Sequence, residues 1–127
     1  MYALKRPDLF GTATAIAGAF DGVRVRAWAE MYGASEKNYR PFDPFALVVE
    51  NQPRLGALRL ALWIGSDDST RRTNDEFHRL LVTRRMPHTY NDWNARPLLQ
   101  GVDHQLGRYY ELYGKEILEF HAAAFRP

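Results

Sequence analysis

This chain contains no cysteine, and that absence removes whole classes of chemistry. A disulfide framework, a thiolate zinc site and a cysteine nucleophile all need a residue that is not there. Long apolar runs are missing too. Nothing approaches the roughly 18 consecutive apolar residues of a membrane-spanning helix, so no membrane association is expected. The opening MYALKRPDLF has no apolar core behind its positive charges, so it does not read as a secretory signal. A cytoplasmic setting is the expectation. An excess of one charge sign is also missing, with 17 Lys and Arg against 15 Asp and Glu. The net charge is +2, and the arginines come as scattered pairs (Arg24 with Arg26, Arg71 with Arg72, Arg84 with Arg85) rather than as one basic face. No nucleic-acid partner is expected. His-x-His and His-x-x-x-His pairs are absent, so no metal site is expected, and no glycine-rich phosphate loop suggests a cofactor.

What is present is ordinary for a globular fold. The chain has 127 residues, 46% of them hydrophobic and 25% charged, which fits a single domain, 1–127, around one modest core. The organising stretch is Leu58 to Asp68, LRLALWIGSDD. An apolar run that ends in a turn and two aspartates reads as a buried parallel strand delivering carboxylates at its C-terminal end. In open α/β sheets, chemistry collects outside that end.

The remaining elements follow from pattern. Met1–Arg6 looks helical until Pro7, with no capping residue ahead of it. Gly11–Ala19, small and β-branched, predicts a strand that ends in the turn Phe20-Asp21-Gly22. Val23–Gly33 alternates like a strand and then suits a helix. Ser35–Pro44, with two prolines, predicts a loop. Asp43-Pro44 predicts the cap and first position of a short helix over Phe45–Glu50. Asn51–Gly56, with Pro53 inside it, predicts a turn. Thr73-Asn74-Asp75-Glu76 fits a capping box, ahead of a stripe made by Phe77, Leu80 and Leu81. Arg84 and Arg85 suit that helix's negative end, and Pro87 closes it. His88–Trp93 predicts a strand and Asn94–His104 a loop. From about Gln105 to Phe125 the chain predicts a long helix with Tyr109, Tyr110, Tyr113, Ile117 and Phe120 on its apolar face. Strands alternating with helices predict an α/β fold with about three parallel strands and flanking helices.

Two residues stand out for chemistry. Asp68 follows the central strand, and His104 ends the next loop, just before a helix. A carboxylate that orients a histidine is the acid–base limb of a catalytic triad. Asp67 competes for the acid role, with Asp68 favoured. Aspartate, serine and threonine in a row also make turns and caps, so a structural role explains them as well. His78, His88 and His121 read as structural. The nucleophile is the gap: the elbow Gly-x-Ser-x-Gly is absent, and Gly33-Ala34-Ser35-Glu36-Lys37 begins like one but ends in lysine.

These residues also carry a family resemblance. Ala3–Asp21 reads ALKRPDLFGTATAIAGAFD, close to the phrase ALKHPDLFGSVAALSGAFD that follows the nucleophile elbow in the esterase group containing feruloyl esterases, esterase D and mycolyltransferase-type enzymes. The group's DPFAL phrase matches Asp43–Leu47, and its G-x-x-D strand end matches Gly65–Asp68. Its N-x-x-F-x-x-x-L helix matches Asn74, Phe77 and Leu81, and its H-x-Y strand matches His88 and Tyr90. Its histidine loop GGHDWxxW is represented by Gly101–Gly107, where the glycine before the histidine is displaced and the tryptophan is absent.

The chain thus resembles the C-terminal half of a serine esterase of the α/β-hydrolase fold. The resemblance implies a partial fold without the N-terminal strands and nucleophile elbow, carrying Asp68 and His104 but no catalytic serine. Such a chain is expected to be inactive alone. A small ester substrate is implied only on complementation by a separate N-terminal half. The alternative is a non-catalytic α/β interaction module. In the parent fold, the strand over Thr12–Ala17 lies beside the nucleophile strand. Here that edge is expected to pair with a second copy or a partner chain. Trp28, Tyr39, Phe42 and Trp93 are candidates for a pocket lining, or for aromatic core.

Overall fold

The computed structural model describes residues 1–21, 30, 31, 33 and 35–125. Most of the ambiguous Val23–Gly33 segment lies outside these residues, as do Trp28, the paired Arg24 and Arg26, and Ala34 of the elbow-like pentad. The described helices are α1 (Tyr2–Lys5), α2 (Glu36–Tyr39), α3 (Pro44–Asn51), α4 (Arg71–Thr83) and α5 (Leu106–Ala122). The strands are β1 (Thr12–Ile16), β2 (Arg59–Trp63) and β3 (His88–Asn91), all parallel in the order β1-β2-β3. Thr14 sits opposite Ala61, and Leu62 opposite Tyr90, so the three carboxyl ends lie along one edge of the sheet. This is a partial α/β fold, as the alternation of elements predicts.

Helices cover both faces, which explains why β2 is an unbroken apolar run. Leu60 and Leu62 point to one face, where they pack with Leu4, Leu47, Val48, Phe77 and Leu81 from α1, α3 and α4. Ala61 and Trp63 point to the other and meet Tyr109, Tyr113 and Ile117 of α5. Phe77 stacks on Phe20 at 4.1 Å and meets Phe45 edge-on at 5.3 Å, anchoring α4 to the first face. Among the described residues, no helix is long and apolar enough to cross a membrane.

Three local expectations are corrected. Ser35–Pro44 is not a loop: α2 and a 3-10 turn over Arg40–Phe42 occupy it. Pro41 sits in the first positions of that turn, where its missing N–H is not needed. The capping box does not form, because α4 starts earlier, at Arg71, and Thr73 is a buried residue inside the helix. Tyr110 points out to solvent, although Tyr109, Tyr113 and Ile117 form the buried stripe. The Asp43 cap forms as predicted: its carboxylate accepts from the Phe45 N–H at 2.9 Å, with Pro44 in the first turn.

Candidate functional site

The site lies at the carboxyl edge of β2. Past Trp63 the chain must bring its next residues against the loop that follows β3, and Gly65 makes this possible. A Cβ at Gly65 would sit 2.1 Å from the Val102 carbonyl oxygen, so only glycine fits this approach. The two loops are then joined by backbone bonds. Ser66 N–H donates to the Leu99 carbonyl at 3.1 Å, and Asp67 N–H to the Val102 carbonyl at 3.1 Å. The Ser66 hydroxyl accepts from the Gly101 N–H at 2.8 Å and donates to the Asp67 carboxylate at 2.8 Å. Gly101 has φ +74, a left-handed turn that suits glycine.

This frame brings Asp68 and His104 together across 36 positions of chain. The His104 Nδ1 lies 3.1 Å from the Asp68 Oδ1. Asp67 is turned away, exposed and bound to Ser66, so His104 faces Asp68 of the two. The Asp68 side chain is fully buried, while that of His104 is 48% exposed. With Nδ1 on the carboxylate, the imidazole presents Nε2, which has no hydrogen-bond partner among the described residues.

Asp68 is heavily partnered. Its Oδ1 also accepts from the Thr70 N–H at 2.8 Å and the Thr70 hydroxyl at 2.7 Å, and its Oδ2 accepts from the Tyr109 hydroxyl at 2.8 Å. Tyr109 in turn accepts from the Gly65 N–H at 2.9 Å. Burial pushes the Asp68 carboxyl up, but the bonds from Thr70, Tyr109 and His104 together outweigh it and hold the group below the ordinary carboxylate range. Burial, and next the bond to Asp68, push the Tyr109 phenol well above its usual value, so it stays protonated and donates. One carboxylate therefore both holds the Thr70 turn and contacts the His104 ring. Sequence reasoning marks Thr70 as a turn or cap former, but it does not single out Tyr109 for this corner. The available signal is a tyrosine on a helix stripe that otherwise reads as apolar, since a buried phenol needs a partner for its hydroxyl.

The three serines of the chain do not reach the free imidazole nitrogen. Ser66 is committed to Asp67 and Gly101. Ser35 precedes the one-turn helix α2 in an extended conformation (φ −100, ψ 130), and neither it nor the exposed Ser69 bonds His104. The other histidines lie away from this corner. His78 and His88 meet at 2.7 Å, and His121 bonds Thr12 and Thr14 at 2.8 and 2.9 Å. Among the described residues no group of three or more His, Cys, Asp or Glu side chains is placed to hold a metal ion.

The described residues thus form a partial parallel α/β sheet with a buried carboxylate holding a half-exposed histidine beyond its carboxyl ends. Residues 1–123 match the family described as "Putative esterase". The chain belongs to that family. No curated protein matches it.

Proposed function

We propose that these residues carry the acid and base of a serine carboxylic-ester hydrolase, with the serine and oxyanion hole supplied from outside the 127 residues. The observation that carries this reading is the Asp68–His104 bond with Nε2 left open. Asp68 fixes the ring with its proton on Nδ1. Nε2 then takes the proton of a serine hydroxyl as its oxygen attacks the ester carbonyl, and returns it to the departing alcohol. Asp68 stays ionised throughout and stabilises the imidazolium. Residues 1–127 alone are inert toward esters, because a lost oxyanion-hole donor alone costs about 3–4 kcal/mol of transition-state stabilisation and the nucleophile is missing as well.

The test is hydrolysis of p-nitrophenyl acetate and butyrate. The purified chain alone should show no turnover above buffer. Mixing with a separately made N-terminal half of an esterase of this family should produce turnover that His104→Ala abolishes. Activity in the chain alone, lost in Ser35→Ala, would overturn the missing-serine reading. Mixing without turnover would sink complementation.

A second reading, a non-catalytic interaction module, is favoured by one feature. β1 pairs on one side only among the described residues, and it carries no charge or proline. A small cavity of about 60 Å³ beside it is lined by Ala13, Ala15, Phe20 and Leu62. The edge over Thr12–Ala17 pairs with a second copy or a partner strand in this reading.

A further inference from the structure

We infer that Tyr109 is the positioning residue of the acid–histidine pair: its hydroxyl fixes the Asp68 carboxylate so that Oδ1 is left for His104. The inference rests on the role proposed above for Asp68 and His104. The two carboxylate oxygens have unequal company. Oδ1 accepts from Thr70 twice and from His104, whereas Oδ2 accepts from Tyr109 alone. The whole side chain is buried, so water does not replace a lost partner. Tyr109 is itself fully buried on α5, 41 positions from Asp68. It is polarised from behind, because the Gly65 N–H donates to its oxygen and makes it a stronger donor. Gly65 is also where the acid loop touches the histidine loop. One phenol therefore ties the end of β2, the carboxylate and the helix after the histidine into a single unit.

Removing that hydroxyl orphans Oδ2 in a buried site, which the carboxyl relieves by turning toward its remaining donors. The bond surrendered is the longest one on Oδ1, the 3.1 Å bond to His104, rather than the 2.7 and 2.8 Å bonds from Thr70. His104 then loses its preference for a proton on Nδ1.

The experiment is long-range proton–nitrogen NMR of the histidine rings together with carboxyl carbon titration of Asp68, in the full chain and in Tyr109→Phe. Tyr113→Phe is the matched control, since Tyr113 lies one turn on, is buried on the same stripe and accepts from the Leu98 N–H. The expected result is a neutral His104 held on Nδ1–H in the parent, shifting by several-fold toward Nε2–H in Tyr109→Phe only. The Asp68 titration midpoint should move up in the same variant. Unchanged His104 and Asp68 signals in Tyr109→Phe, or equal changes in Tyr113→Phe, would overturn the inference. If Tyr109→Phe does not fold, biosynthetic replacement of tyrosine by 3-fluorotyrosine, a stronger donor of similar shape, should lower the Asp68 midpoint; no movement overturns the inference. These readouts need no turnover, so a failed esterase assay and a failed positioning role are distinguished from each other.

Discussion

The carboxyl and amino edges of this sheet both hold histidines, but they spend them differently. At the carboxyl edge, His104 gives one nitrogen to a buried carboxylate and keeps the other free. At the amino edge, His88 and His121 each have both ring nitrogens bonded within the fold. His88, the first residue of β3, bonds the Met86 carbonyl oxygen through Nδ1 at 2.8 Å and His78 through Nε2. His121 bridges the threonine hydroxyls of β1 with both nitrogens. Helix α5 runs between the two edges, with Tyr109 at one and His121 at the other. An imidazole becomes a candidate base through what its neighbours leave unbonded. Its place in the sequence does not decide this.

The largest way to break the contrast is Gly65→Ala. Its Cβ meets a backbone oxygen, which cannot step aside like a side chain. The expected loss is at the upper end for overpacking, about 3 kcal/mol in denaturant unfolding, with the Asp68–His104 hydrogen bond broken and the His121 signals unchanged. Asp68→Asn should cost on the order of 2 kcal/mol at neutral pH, the scale of a hydrogen bond to a charged group. The sign with pH follows from the lowered carboxyl. The ionised form stabilises the fold above the ordinary carboxylate range, and this contribution disappears as pH falls through the depressed native value. Stability measured against pH on the acid side should therefore fall less steeply in Asp68→Asn than in the parent. An unchanged slope would remove Asp68 from the account. The smallest effect belongs to the amino edge: Thr14→Val removes one hydroxyl from His121 and should cost about 1 kcal/mol, leaving the His104 ring signals where they were.

Much of the carboxyl edge is legible in the sequence because its signals are local. The apolar run of β2 reports burial on both faces, and the Gly-Ser-Asp-Asp end reports a turn. Asp68 and His104 can each be picked from their place relative to a strand end, although the choice over Asp67 needs the geometry of Ser66. Pattern misleads where another group overrides it. Helix α4 begins at Arg71, just after Thr70 and not after Thr73, because the Asp68 carboxylate fixes the turn ahead of it by accepting from the Thr70 N–H and hydroxyl. Pro41 and Pro44 suggest a loop over Ser35–Pro44, yet Pro41 occupies the opening of a 3-10 turn and Pro44 that of α3. Tyr109 is visible as part of a stripe, but its partners lie 41 and 44 positions away, and no local pattern carries them.

The 36 positions between Asp68 and His104 set what their bond can do. Closing a flexible loop of that length carries an entropic cost of about 3 kcal/mol. A hydrogen bond between a carboxylate and a half-exposed ring returns about 1.5–3 kcal/mol, with solvent holding it to the low end. The pair therefore cannot draw its own loops together. β3 against β2 and α5 against the sheet close the distance first, and the bond forms inside a geometry already made. The corner is assembled by the entire domain, and a bond that contributes little to folding reports whether folding has been completed.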